Sequence, residues 1–187
     1  MKKAFLLFAF VVFAWGGDYF LGGGVGMQKP GRQLAGKMEE SFSSPSFSLL
    51  AGWNSATAMN TSYGQCTGLA CSFERAAVRF YASYDYNPKS IQTIGINGDF
   101  IVSEVLFFGF GYNFLHYGKQ FSQTEKAQTS DYWAFQVGLG NIGAKHGFEV
   151  FYKLPLAGVS VFGFENEQVK LRPGYSFGLR YIYNFKD

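Results

Sequence analysis

Long apolar segments are absent from this chain after its first sixteen residues. A transmembrane helix needs about 20 consecutive apolar residues, so the rest of the sequence excludes helical membrane spans. Histidine and cysteine are also scarce, with two of each among 187 residues. Because a metal centre needs several such side chains close together, the sequence predicts no metal site and no cofactor.

A large excess of charge is missing as well. The formal net charge is +3, from 16 Lys and Arg against 13 Asp and Glu. Lys2 and Lys3 belong to the leader segment 1–16, and without them 14 cations face 13 anions, a net charge of +1. With no basic run in the sequence, we expect no nucleic-acid partner.

The first sixteen residues are typical of a secretory signal peptide. Lys2 and Lys3 precede an apolar stretch over 4–13, and Ala14 and Gly16 are small residues three and one positions before a cleavage point. An apolar run of roughly ten residues is too short to anchor a chain in a bilayer, which favours cleavage. We therefore predict a signal peptide over 1–16 and one exported domain over 17–187.

Aromatic residues and glycine are abundant. Aromatic side chains make up 20% of the chain, with 22 Phe, and they occur beside 24 Gly in a sequence that is 48% hydrophobic. In a bilayer every backbone polar group must be bonded within the protein, so a membrane protein without apolar helices must be a closed β-barrel. The composition therefore indicates a barrel in the outer membrane.

The order of residues supports the barrel, because apolar side chains alternate with small or polar ones over segments of about ten residues. Alternation is clearest over 175–185, where the odd positions are aromatic or apolar and the even positions are mostly small or polar. Segments 76–84, 132–139 and 148–154 repeat it. A soluble β-sandwich is the alternative, but its inward face would lack the charges found here beside glycine.

The alternating segments predict a closed antiparallel transmembrane β-barrel of about eight strands. An even strand number places both ends of the chain on one side, here the periplasm, and 28–45, 87–90, 118–130 and 158–171 outside the cell. Segment 55–73 is long for a periplasmic turn, so ten strands is the alternative. The predicted strands cover 18–27, 46–54, 74–86, 91–102, 105–117, 131–141, 147–157 and 172–185.

Three segments resemble the Helicobacter outer membrane protein family: 146–155 (HGFEVFYKLP), 170–177 (KLRPGYSF) and the ending 181–185 (YIYNF). The start, 18–26 (DYFLGGGVG), resembles the family's first strand. The resemblance implies an outer-membrane barrel in a family that includes porins and surface adhesins. Adhesin members carry a large extracellular domain after the first strand, and this chain has only short segments there.

The resemblance also gives Phe185 a role. In such barrels the outer-membrane assembly machinery reads an aromatic residue at the end of the last strand, and Phe185 matches it, although Lys186 and Asp187 follow. The expected partners are therefore this machinery and the outer-membrane lipid. The sequence names no extracellular ligand.

The two histidines bear on a third function, that of a barrel enzyme acting on lipid. Such an enzyme needs a serine activated by histidine and a carboxylate that orients the ring. His116 and His146 lack the His-x-Ser spacing that puts both side chains on one strand face, although Ser122 and Glu125 follow His116 in the next loop. We predict no enzymatic activity.

Cys66 and Cys71 are the only cysteines. Exported proteins meet an oxidising compartment, and a metal site would need further soft or imidazole ligands nearby. We therefore predict a disulfide between them, with free thiols as the alternative.

Charged residues on the inward face predict the state of the lumen. Glu149 and Arg180 are expected to pair across the last two strands, and Arg75 and Asp99 across strands three and four. An eight-stranded barrel is only wide enough for its interior to fill with side chains, so we expect a plugged lumen. The predicted function is a structural or surface-exposed barrel, and a narrow porin for small solutes is the alternative. The large inward residues are Arg75, Arg79, Tyr81, Phe107, Gln136, Phe151, Lys153 and Arg180.

Overall fold

The computed structural model describes residues 17–34, 37–41, 43–55, 76–88, 91–102, 105–117, 128–156 and 169–185. None of these residues belongs to a helix long and apolar enough to cross a membrane. The strands of this part of the chain are Asp18–Leu34 (β1), Lys37–Ser41 (β2), Ser44–Asn54 (β3), Ala76–Asn87 (β4), Ile91–Val102 (β5), Leu106–Tyr117 (β6), Gln128–Gly140 (β7), His146–Pro155 (β8) and Val169–Asn184 (β9).

The strands form one antiparallel sheet that closes on itself. From β3 to β9 each strand pairs with the next, β3 also pairs with β1, and β9 completes the ring by pairing with β1. The short β2 stands outside the ring and pairs only with the far end of β1, from Gly31 to Leu34. The structure therefore confirms the predicted fold, a closed antiparallel barrel of eight strands.

The strand boundaries agree with the prediction except at the end of the barrel opposite the termini, which we call the outer end. There β1 continues to Leu34 and β9 begins at Val169, so segment 28–45, predicted as a loop, contains strand instead. The prediction was wrong because β1 and β9 remain paired beyond the point where the other strands end, as far as Leu34 and Val169. Of segment 55–73, only Ser55 is among the described residues, and 1–16 lie outside them as well.

The two faces of the wall alternate as predicted. In β3 and β8, buried and exposed residues follow one another almost without exception. The outward side chains are apolar and well exposed: Leu49 is 66%, Ile96 64% and Phe148 67% accessible. Inward positions hold the buried polar and charged residues, which is the pattern of a barrel with a lipid-facing exterior.

Inward glycines allow β1 and β9 to approach closely. Gly26 and Gly178 lie opposite each other in this ladder. A Cβ added to Gly178 would lie 2.7 Å from the Cα of Gly26, too close for any real contact. At the outward Gly23 the nearest atom would be 3.6 Å away, an ordinary distance. Small residues are therefore required on the inside of this tightly curved wall and not on its outside.

The opposite end of the barrel, which holds Gly17 and Phe185 and which we call the inner end, is filled by apolar side chains. The turn between β7 and β8 places Ile142, 1% exposed, into the lumen, and Gly143 next to it adopts a left-handed φ of 85°. Asn184 Nδ2 ties the turn to β9 by donating to the Ala144 carbonyl over 2.6 Å. Ile142 packs in a cluster with Ala77, Ile101, Phe107 and Phe151.

Candidate functional site

The candidate site is the middle of the lumen, where side chains from opposite walls meet. In the ring, three strands separate β4 from β8 in either direction: β5, β6 and β7 on one side, and β3, β1 and β9 on the other. The strands β4 and β8 therefore stand on opposite walls. Any bond between their inward side chains crosses the whole lumen.

Arg79 on β4 makes such a bond. Its Nη1 donates to Glu149 Oε1 on β8 over 2.5 Å and its Nη2 donates to Glu149 Oε2 over 3.2 Å. Its Nε and Nη2 also donate to Asp99 Oδ2 on β5, over 3.0 and 2.7 Å. The guanidinium packs over the Phe107 ring, 4.8 Å from its centroid. Since all three charged groups are buried, they depend on one another for partners.

Local sequence explains half of this cluster. Arg79 and Asp99 face each other in the β4–β5 ladder and share the inward face, so their contact follows from strand pairing. Glu149 reaches Arg79 from the far wall, which no ladder position predicts. Gln136 on β7 adds a third contact by donating from Nε2 to Asp99 Oδ1 and, over 2.6 Å, to the Tyr81 hydroxyl.

The predicted charge pairs are arranged differently in the structure. Glu149 and Arg180 do face each other in the β8–β9 ladder, but the carboxylate of Glu149 is bound by Arg79. Arg75 lies outside the described residues, and the cation that binds Asp99 is Arg79, four positions further along the chain. The sequence predicts Arg79 as an inward residue but predicts no partner for it, because the pairing of adjacent strands does not determine contacts across the lumen.

Arg180 is held by aromatic groups instead of a carboxylate. Its guanidinium carbon lies 3.7 Å from the centroid of the Phe151 ring, and its Nη1 donates to the Tyr81 hydroxyl over 3.2 Å. Its Nε is buried and has no hydrogen-bond partner among the described residues. Stacking on the ring compensates for part of the missing ion pair.

A second set of bonds crosses the lumen closer to the outer end. Lys153 Nζ on β8 donates to Asn113 Oδ1 over 2.6 Å and lies 3.7 Å from Asp85 Oδ2 on β4. Asp85 also accepts a 2.5 Å bond from the hydroxyl of Ser48. The walls formed by β4 and β8 are thus bridged at two heights.

Above this second set the lumen is lined by hydroxyl and amide groups. Ser44 Oγ donates to Asn87 Oδ1 over 2.7 Å, and Asn87 Nδ2 donates to Gln28 Oε1 over 3.5 Å. All three residues are buried. The lumen therefore changes from apolar at the inner end, through charged in the middle, to neutral and polar at the outer end.

The histidines lie on the outward face. His146 Nδ1 is 2.7 Å from the Tyr181 hydroxyl at the inner end, and His116 is half-buried on β6. No group of three or more metal-binding side chains occurs in the described ranges. Ser122, Glu125, Cys66 and Cys71 lie outside those ranges, so the predicted disulfide and the prediction against an enzyme stay predictions.

Phe185 follows directly on β9. Its backbone N–H donates to the Tyr19 carbonyl over 2.8 Å, and its exposed ring packs edge-on against Tyr183, with centroids 5.1 Å apart. The residue therefore extends the pairing between the last strand and the first. Its recognition by the assembly machinery stays a prediction.

No protein-family model matches the sequence, and no curated protein matches it. The crystal structure of Neisserial surface protein A aligns over 91% of this chain and 99% of that chain, with a TM-score of 0.50 and 12% identity. Ail, the attachment invasion locus protein of Yersinia pestis, crystallised with the heparin analogue sucrose octasulfate, aligns over 89% and 99%, with a TM-score of 0.38 and 12% identity. The likeness to the neisserial protein is one of fold, that of the small outer-membrane barrels.

Proposed function

We propose that this protein is an exported, surface-exposed barrel of the bacterial outer membrane, a small member of the Helicobacter outer membrane protein family, with a closed lumen. Its role is structural or is carried by the segments at the outer end, and transport through the barrel is not part of it. The inner end then faces the periplasm.

The exterior supports placement in a membrane. Large apolar side chains project outward all round the ring, among them Leu21 on β1, Phe110 on β6 and Leu179 on β9, each more than half exposed. In water such a belt would be a large hydrophobic patch that favours aggregation. In hydrocarbon the same side chains are solvated by lipid, as on other transmembrane barrels.

The observation that carries the closed lumen is the bond from Arg79 to Glu149. A solute path requires an open space between the inward side chains of β4 and β8. Arg79 and Glu149 close that space, because their charged groups lie 2.5 Å apart and are almost fully buried. Lys153 and Asp85 bridge the same walls nearer the outer end. The cluster around Ile142 fills the inner mouth.

Conductance tests the closed lumen. Protein refolded into a planar lipid bilayer is expected to give no steady single-channel steps, while a known porin added to the same bilayer shows that insertion is detectable. Reproducible steps that disappear when the barrel is denatured first would reject the closed lumen and favour the narrow porin, whose support is the polar lining of the outer lumen.

Single-cysteine labelling tests the orientation. Pro88 is exposed in the turn between β4 and β5 at the outer end, and Lys145 is exposed at the inner end. In a chain with Cys66 and Cys71 changed to Ser, Pro88→Cys should react with a membrane-impermeant maleimide on intact cells. Lys145→Cys should react only after the outer membrane is permeabilised. The reverse pattern would refute the orientation.

A further inference from the structure

The lipid-facing side of the barrel carries a cation beside aromatic rings near the outer end. Lys29 on β1 lies directly opposite Tyr175 on β9, and its Nζ is 5.8 Å from the centroid of that ring. The Tyr175 ring lies beside Tyr152 on β8, with centroids 5.7 Å apart and planes inclined by 35°. These three residues, which we call the outer row, continue across three neighbouring strands.

A β-bulge follows the outer row in the β1–β9 ladder, and two cations of β9 come after it. After the Lys29–Tyr175 pair the ladder resumes with Gly31 opposite Arg172, so that two residues of β9 stand against Pro30. Arg172 and, opposite Gln33, Lys170 continue this ladder beyond the bulge.

The wider neighbourhood is basic as well. The part of β1, β2 and β9 that lies beyond Gln28 and before Tyr175 contains five cations, Lys29, Arg32, Lys37, Lys170 and Arg172, against two anions, Glu39 and Glu40. The net charge of +3 in this segment exceeds that of the remaining mature chain. Positive charge is thus concentrated where the barrel leaves the membrane.

We propose that the outer row binds the phosphorylated sugar head group of a glycolipid in the outer leaflet. The ammonium group of Lys29, in a basic part of the chain, suits phosphate, and the tyrosine rings offer flat faces and hydroxyl groups to a sugar. The ligand is a lipid because Tyr152 and Tyr175 lie on the lipid-facing side of the wall, in the girdle of aromatic residues that meets head groups. This inference rests on the outer-membrane placement proposed above.

Lipid retention tests the proposal. The mature protein, refolded in neutral detergent, is incubated with bisphosphorylated lipid A or with the same lipid A after its phosphates are removed, and bound lipid is counted by native mass spectrometry. We expect preference for the phosphorylated form. Lys29→Gln should weaken its retention by about fivefold, and Lys29→Gln combined with Arg172→Gln by more, since one basic residue near an anionic lipid surface contributes about 1 kcal/mol.

Two further variants separate charge from ring. Lys145→Gln removes the same charge at the inner end and should leave retention unchanged. Tyr175→Leu should weaken the binding of both lipids, because it removes the stacking face and not the charge. Excess inorganic phosphate distinguishes a general phosphate site from a lipid site, since only the former would lose its ligand to free phosphate.

Three results would overturn the proposal: equal retention of both lipids by the wild-type protein, equal loss with Lys145→Gln, or displacement of the lipid by inorganic phosphate alone. Binding of a soluble sulfated oligosaccharide that depends on Lys29, without lipid preference, would assign these cations to a glycan and would also overturn it. If Pro88→Cys is still labelled on intact cells, the outer-membrane placement stands even when the lipid site fails.

Discussion

Glu149 faces Arg180 across the β8–β9 ladder, yet its carboxylate is bound by Arg79 from the opposite wall of the barrel. The neighbour in the sheet is therefore not the partner in the ion pair. Arg79 serves two carboxylates at once, Glu149 and Asp99, while Arg180 rests on the Phe151 ring. Stability should depend on these two arginines in different ways.

Removing Arg79 should cost more stability than any other single lumen substitution, because two buried carboxylates lose their cation. Arg79→Leu is expected to destabilise the barrel by about 3 to 5 kcal/mol, measured by reversible urea unfolding in lipid vesicles. Double-mutant cycles with Glu149→Gln should give a larger coupling energy for Arg79 than for Arg180. The opposite order would show that Glu149 pairs with its ladder neighbour in the membrane.

Gly26 and Gly23 should respond differently to a single added methyl group. Gly26→Ala places a Cβ against the backbone of β9 and should cost about 1 to 3 kcal/mol, because the two strands must separate. Gly23→Ala is the matched control on the outward face, where the site has room, and should be neutral or slightly stabilising. Equal effects on the urea midpoint would refute the close approach described for β1 and β9.

A charge on the lipid face should be costly near the middle of a strand. Phe177 is half exposed and points outward from β9, so Phe177→Arg is expected to destabilise the barrel by about 2 to 4 kcal/mol in lipid vesicles. Phe177→Leu keeps an apolar side chain and serves as the control. Unchanged stability of the Arg variant would mean that this face does not meet hydrocarbon.

Phe185→Ser should reduce the amount of assembled barrel without blocking export. Folded barrels of this kind migrate faster on gels until they are heated, so assembly is measured as the heat-modifiable fraction in the membrane. Phe185→Tyr keeps an aromatic ring and should assemble normally. Normal assembly of the Ser variant would remove the recognition role from Phe185 and leave only its bond to Tyr19.

Cys66 and Cys71 should be oxidised in protein taken from the cell envelope. Closing so short a loop adds only about 2 kcal/mol of chain-entropy stabilisation, so the double Ser variant should still fold. The test is alkylation of the native, unreduced protein, followed by mass spectrometry. Modification of both thiols would contradict the disulfide.

The inward or outward direction of each side chain was predictable from sequence, because it alternates from one residue of a strand to the next. Once Phe177 is outward, Gly178 must be inward, and each following residue is fixed in turn. The middle strands could be located for the same reason. The prediction that 28–45 is a loop was wrong because β1 is prolonged by a partner about 140 positions away, and strand formation depends on such partners as much as on local residues.

The contacts across the lumen could not have been predicted. Whether Arg79 reaches Glu149 depends on the width of the barrel and on the stagger between its strands, quantities that no segment of the sequence states. Arg180 shows the same limit, because its ladder neighbour is Glu149 but its guanidinium stacks on Phe151, two positions further along β8. Ladder position identifies neighbours within the sheet, whereas contacts across the lumen are identified only from the closed structure.

Pairing of β1 with β9, from Phe20 to Leu34, is the longest ladder of the barrel, and it joins the first strand to the last. The strand that completes the ring, β9, therefore pairs with a strand more than 100 positions before it in the chain. Until it arrives, β1 and β8 each present an unpaired edge, which is the kind of surface on which chains aggregate. Closing the ring must therefore bring together strands far apart in the chain, at a high loop-closure cost, and the barrel is complete only when this one ladder has formed.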